Sequence, residues 1–183
     1  MTKWNLFFIG CMAVALSGCS SVTVSRDYDL SADFSNLSTY AWKHAEQPRT
    51  GNARIDNDLI DARVRAAIDA ELAGKGFALA KPSAADFQIA YFLEYKQRIG
   101  GSAVSFGIGT GTYSRFGGIG YDIGISDYDE GYLTIDVIDP ADGEIIWRGV
   151  GRRASYDTGK PAKTTKIVNM AVARILAKFP PVK

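Results

Sequence analysis

Phe87, Ile89, Tyr91, Leu93 and Tyr95 fall on every second position of one short stretch. Successive side chains of a strand point to opposite faces, so this spacing predicts a strand with one apolar face over residues 86–95. Residues 132–138 repeat the pattern with Leu133, Ile135 and Val137. Asp139-Pro140-Ala141-Asp142-Gly143 then supplies turn chemistry, and residues 144–156 read as the returning strand of a hairpin. Gly149 and Gly151 within that strand point to a bulge or to close packing. Strands apolar on one face need a cover, and the chain provides two.

The first cover is a helix predicted over residues 56–74. Leu59, Ile60, Val64, Ala67, Ile68 and Leu72 recur at helical spacing, while Asp58, Asp61, Arg65, Asp69 and Glu71 fall mostly on the other side. Gly74 and Gly76 stop it. The second runs over residues 161–178, with Pro161 in its first turn and an apolar face of Ile167, Val168, Ala171, Val172, Ile175 and Leu176. Phe179 is placed to plug the core, and Pro180-Pro181 ends the helix. Val22-Thr23-Val24 and Thr39-Tyr40-Ala41-Trp42 read as strands, residues 44–53 as a polar loop, and residues 77–79 as a brief strand. The order predicts a single α+β domain: one mostly antiparallel sheet covered by two helices, with a glycine-rich insertion. The composition, 46% hydrophobic and 22% charged, suits one globular body.

The N-terminus has a different logic. Lys3 opens it, and residues 6–16 are apolar but too few to span a bilayer, which takes about 20 such residues. The run ends in Leu16-Ser17-Gly18-Cys19. This ending resembles the lipobox of bacterial lipoprotein precursors, so residues 1–18 read as a signal peptide. The resemblance implies cleavage between Gly18 and Cys19, a diacylglyceryl group on the Cys19 sulfur and an acyl group on the new amine. Cys11 fits less well, because Phe8-Ile9-Gly10 puts an aromatic where a lipobox favours leucine. The rival reading is an ordinary cleaved signal with a fortuitous cysteine. Residues 19–27 then form a lipidated tether and first strand, and residues 28–183 the α+β domain. Ser20 stands where aspartate is associated with inner-membrane retention, which favours an outer-membrane anchor facing the periplasm. With Cys11 removed and Cys19 acylated, the mature chain has no disulfide.

Residues 100–124 hold nearly half of the 19 glycines. Val104, Phe106, Ile108 and Thr110 alternate there with Ser105, Gly107, Gly109 and Gly111. A mobile surface loop, a hairpin extending the sheet and a contact surface all fit this pattern. On the last reading Phe106, Tyr113, Phe116 and Tyr121 form the interaction surface. No Lys-Ser or Lys-Thr follows the glycines, and the third glycine of a dinucleotide fingerprint is missing, so a phosphate cradle is excluded.

Catalytic constellations are scarce. His44 is the only histidine, it lies in a polar loop, and no Gly-x-Ser-x-Gly elbow accompanies it. One histidine and an acylated cysteine cannot supply a zinc ligand set. Asp127, Asp129 and Glu130 cluster without EF-hand spacing and read as a solvated turn. Asp136 and Arg148 are placed to pair across the hairpin, with Arg152 and Arg153 at its end. A net charge of +1 gives no global pull toward nucleic acid.

Taken in order, Thr39-Tyr40-Ala41-Trp42, Leu59-Ile60-Asp61 with Arg63, Arg65, Ala67-Ile68-Asp69 and Leu72, Lys75-Gly76, Ala85-Asp86-Phe87, Tyr91, Gly131, Leu133, Ile135-Asp136-Val137, Asp139, Trp147-Arg148-Gly149 and Phe179-Pro180-Pro181 resemble the bacterial lipoproteins grouped as domain-of-unknown-function family 4136. The resemblance runs from about Tyr28 onward. It implies a lipobox and a glycine-rich stretch between the middle strands, and it brings no reaction and no catalytic residues. The expectation is a lipid-anchored cell-envelope protein without catalytic residues, metal or cofactor beyond its covalent lipid. It would bind or organise another envelope component, through the membrane anchor and without nucleic acid. The alternatives are a periplasmic small-ligand binder, with a pocket lined by Tyr91 and Trp147, and a carboxylate-based hydrolase.

Overall fold

The computed structural model describes residues 22–99, 103–104, 123–124 and 127–181. The signal peptide, Gly18, Cys19, Phe106, Tyr113, Phe116 and Tyr121 lie outside the described residues.

Strands β1 (Thr23–Tyr28), β2 (Thr39–Trp42), β3 (Ala78–Leu79), β4 (Phe87–Ile99), β7 (Asp127–Ile138) and β8 (Ile145–Arg153) form one sheet in the order β1-β8-β7-β4-β2-β3. The β4–β7–β8–β1 run is antiparallel throughout, whereas β2 lies parallel to both β3 and β4. Parallel neighbours need a crossover. Helix α1 (Asp58–Gly74) supplies it between β2 and β3, and α2 (Pro161–Leu176) follows β8. A separate two-residue pair, β5 (Ala103–Val104) with β6 (Ile123–Gly124), closes antiparallel at the base of the glycine-rich insertion.

The alternation fixes the layers. Phe87, Ile89, Tyr91 and Leu93 of β4 and Leu133, Ile135 and Val137 of β7 are buried, and they join the inward residues of α1 and α2 in one core. Each helix turns a stripe to that sheet face: Ile60, Val64, Ala67, Ile68 and Leu72 from α1, and Ile167, Val168, Ala171, Val172, Ile175 and Leu176 from α2. Leu59 does not belong to it, being 67% exposed. Its position at the helix start puts it on the outer side of the first turn. Phe179 meets Phe34, Phe77, Phe87 and Trp147 at centroid distances of 5.3–6.1 Å, closing the core beyond α2 as expected.

Gly149 and Gly151 serve close packing. A Cβ on Gly149 would lie 2.6 Å from Ile175 Cγ2, and one on Gly151 2.8 Å from Ile175 Cδ1. The bare backbone of β8 thus admits α2 and the Trp147 ring to the sheet surface. The register irregularity instead lies at Val137 and Ile138 of β7.

Residues 127–130 are not a turn. Strand β7 begins at Asp127, and its pairing with β4 continues to Ile99. Twelve paired residues leave no room for a loop ahead of Tyr132, and the acids that looked like turn residues occupy ladder positions.

Candidate functional site

Between α1 and the β2–β4 edge lies a half-buried polar cluster. Tyr40 and Trp42 are two residues apart on β2 and share the helix-facing side, as does Tyr91 on β4. Asp61, Arg65 and Asp69 are four apart on α1 and so share one row. The Tyr91 hydroxyl donates to Asp61 at 2.8 Å. Arg65 Nε donates to both Asp61 oxygens at 2.9 and 3.1 Å, and Arg65 Nη2 reaches the His44 carbonyl at 3.1 Å. The guanidinium lies 4.4 Å over the Trp42 ring. Trp42 Nε1 and the Tyr40 hydroxyl both donate to Asp69, at 3.1 and 2.7 Å.

Two carboxylates, two phenols, an indole and a guanidinium thus satisfy one another. Burial foremost, then the hydrogen bond to Asp69, raises Tyr40 above the ordinary phenol range. Burial and the bond to Asp61 raise Tyr91 in the same way. Both hydroxyls stay protonated at neutral pH and act as donors. Among the described residues of the cluster, each carboxylate already accepts from two side chains. The arrangement holds α1 against β2 and β4 and sets the position of the loop between them.

That loop, residues 43–57, builds a recess of about 320 Å³ whose lining includes Gln47, Arg49, Ile55, Asp56 and Asp61. Its shape is fixed internally. Asp56 accepts from the backbone of Thr50 at 2.9 Å and of Gly51 at 2.6 Å, which lowers its pKa. Asn57 caps α1 by accepting from Ile60 N at 2.9 Å. Gln47 Nε2 donates to the Tyr91 carbonyl at 2.8 Å, which ties the loop to β4 beyond the end of β2. His44 contributes its carbonyl to this site, and its side chain is exposed.

The opposite face of the sheet is polar. Asp136 and Arg148 pair across the hairpin as expected, with two bonds of 2.6 and 2.7 Å, and Asp136 is only 1% exposed. The carboxylate raises the Arg148 pKa further. Arg152 bonds Glu130 at 3.1 Å, and the Tyr132 hydroxyl donates to Glu130 at 2.6 Å. Arg152 is thus held in a ladder of paired charges, and Arg153 lies 6.0 Å from the Tyr156 ring centroid. Tyr91 and Trp147, named for a ligand pocket, sit in the packed core. Among the described residues, no three His, Cys, Asp or Glu side chains gather as a metal site, and no helix is long and apolar enough to cross a membrane.

Sequence reasoning missed the Asp61–Arg65–Tyr91–Trp42 cluster, because it assigned the charges of α1 to the outer side. The usable signal was their four-residue spacing, set against two aromatics at two-residue spacing on a strand.

The six-stranded sheet, two helices on one face and a cluster locking α1 to β2 define a two-layer α+β protein. The chain belongs to the family described as Domain of unknown function (DUF4136), whose model matches residues 24–181. No curated protein matches it in sequence. A crystal structure of a PDZ domain protein from Parabacteroides distasonis shares its fold, with a TM-score of 0.55 at 15% identity. That match covers 88% of this chain, which spans only 36% of the other. A PelC dodecamer structure from Paraburkholderia phytofirmans aligns over 89% of this chain and 100% of its own, at 12% identity and a TM-score of 0.47.

Proposed function

We propose that the chain is a lipid-anchored cell-envelope protein, held by Cys19 in the outer membrane and facing the periplasm. In this reading it binds or organises another envelope component without catalysing a reaction. The observation that carries the reading is the spacing between Cys19 and the first core residue. Val22, the first described residue, is 6% exposed and belongs to the hydrophobic core, so a core residue stands three positions after Cys19. Three residues reach at most about 11 Å, so an acylated Cys19 holds the body against the lipid surface. Two or more acyl chains give stable anchoring, whereas one gives marginal binding. The mutual satisfaction of Asp61, Arg65, Asp69, Tyr40 and Tyr91 also favours a structural or binding role for the α1 edge.

Phe106, Tyr113, Phe116 and Tyr121 are the contact surface in this reading. Mass spectrometry of the mature protein should find an N-terminal Cys19 carrying diacylglyceryl and acyl groups. Deleting residues 101–124 should abolish partner capture in a cellular crosslinking pull-down. Mature protein starting elsewhere, or starting at an unacylated Cys19, overturns the anchor, and unchanged capture overturns the contact surface.

One observation favours the small-ligand reading in second place. The 320 Å³ recess beside Asp61 lies within the size range of small-molecule sites and is shaped by a loop with its own internal bonds.

A further inference from the structure

Helix α2 is charged with one sign only. From Thr158 to the last residue the sequence contains no Asp or Glu, whereas it carries Lys160, Lys163, Lys166, Arg174, Lys178 and Lys183. At 100° per residue, Lys163, Lys166 and Arg174 fall within one strip about 80° wide, and Lys178 lies just beside it. The contacts of that strip show where it faces. Arg174 Nη1 donates to the Val22 carbonyl at 3.3 Å, and Arg26 Nη1 of β1 donates to the Lys178 carbonyl at 3.3 Å. The C-terminal end of this flank, Arg174 and Lys178, therefore meets β1, the edge strand into which the chain from Cys19 runs, and Lys163 and Lys166 continue the strip toward the start of the helix.

Arg26, Lys163, Lys166, Arg174 and Lys178 are all exposed, and among the described residues none of them joins an ion pair. The two guanidinium bonds go to neutral carbonyls and leave both charges in place. Local stability accounts for Arg174, which sits in the last turn where a cation suits the helix dipole, but not for Lys163. The first turn of α2 holds no acid and carries Lys163, and Lys160 at its cap makes no side-chain capping bond. Cations there oppose the helix dipole. Arg65, Arg148 and Arg152, by contrast, are answered at close range by Asp61, Asp136 and Glu130.

We infer that the β1–α2 edge docks on an anionic phospholipid surface, with Arg26, Lys163, Lys166, Arg174 and Lys178 facing the headgroup phosphates. This rests on the anchor reading, because the short step of three positions from Cys19 to Val22 brings this edge to the bilayer. At physiological ionic strength charges are felt over about 8 Å, so only a surface held this close gains from an anionic leaflet. The anchor then sets the distance and the basic edge sets the orientation. The polar outer face of the sheet and the recess beside Asp61 remain open to partners.

The test uses the chain from Ser20 without lipid, since the hydrophobic core lies within residues 22–181. It should co-sediment with phosphatidylcholine vesicles containing phosphatidylglycerol, not with pure phosphatidylcholine, and added salt should release it. Each Lys→Gln change on the flank should weaken binding about fivefold, so K163Q/K166Q should lose about 25-fold. K43Q/K81Q removes the same charge from exposed lysines outside the flank and should change binding little. Neither double variant should melt below the parent, because the four lysines are exposed and Lys163 opposes the helix dipole. Absent lipid selectivity, or equal losses in the two double variants, overturns the docking surface. The acyl mass on Cys19 of the cellular protein is read separately. An unacylated Cys19 overturns the anchor reading, whereas an acylated Cys19 with no vesicle selectivity overturns only the docking surface.

Discussion

Gly149→Ala tests the packing that lets α2 lie on the sheet. A methyl carbon there would overlap Trp147 Cη2 and stand 2.6 Å from Ile175 Cγ2. Carbon atoms in contact prefer about 3.5–4.0 Å, so the ring or the helix must retreat by roughly 1 Å. Neither neighbour is a flexible tip. Trp147 is fully buried with its ring 5.3 Å from Phe179, and Ile175 is fully buried in α2. Overpacking of a tight core costs about 1–3 kcal/mol, and two rigid neighbours put this site at the upper end. Replacing glycine by alanine returns about 0.4–1 kcal/mol by restricting the unfolded chain, which leaves a net loss of about 2 kcal/mol. For a domain of this size that lowers Tm by about 4–8 °C. Thermal melts and urea titrations followed by circular dichroism read both quantities. Trp147→Phe removes the Cη2 and Cζ2 atoms that the new methyl meets. The double variant should therefore lose less than the two single losses combined, by about 1 kcal/mol or more. Gly74 has no neighbour within 4 Å of an added Cβ, so Gly74→Ala serves as the control without overlap and should gain about 0.4–1 kcal/mol. A Gly149→Ala protein melting with its parent, or losses additive within about 0.5 kcal/mol, would refute the close-packing argument.

Asp86 ties the start of β2 to the turn before β4, accepting from the backbone and hydroxyl groups of Ser38 and Thr39 at 2.8–2.9 Å. The backbone bonds foremost lower its pKa to about 2. Since the folded value lies below the unfolded value of about 3.9, its contribution is fully present above that pH and is lost as pH falls toward 2. The gap in urea midpoint between the parent and Asp86→Asn should hold constant from pH 7 to pH 5 and shrink below pH 4, and a gap that widens with acid would contradict the assignment. Tyr91→Phe removes a donor from Asp61 but leaves Arg65 in place. It should cost about 1.5–3 kcal/mol in denaturant unfolding, because hydrogen bonds to charged groups are worth about that much. Loss within error of zero would show that the Tyr91–Asp61 bond contributes nothing to holding α1.

Local periodicity was enough to find the β4, β7 and β8 strands, both helices and most of their core residues, Leu59 excepted, because burial on one face leaves a period of two or 3.6 in the chain. The Asp136–Arg148 pair was legible too, since hairpin register places residues opposite each other. Other features depended on which segments meet. Nothing local to Thr39-Tyr40-Ala41-Trp42 shows that it pairs parallel to β4 and to β3, so that the otherwise antiparallel sheet becomes mixed. The charges on α1 look solvated until β2 and β4 bring Trp42, Tyr40 and Tyr91 against them. The span from Asp127 to Glu130 looks like a turn until β4 extends far enough to pair with it.

The sequence by itself determined the membership in this family and the apolar faces from which the layers are built, because each is written in the order and spacing of nearby residues. Tertiary structure decided that the C-terminal end of α2 meets β1, that Gly149 and Gly151 are the seat of that helix, and that Asp61, Arg65 and Tyr91 form one cluster. These depend on Coulombic, steric and hydrogen-bonding contacts between residues far apart in the chain, and only folding brings them within range.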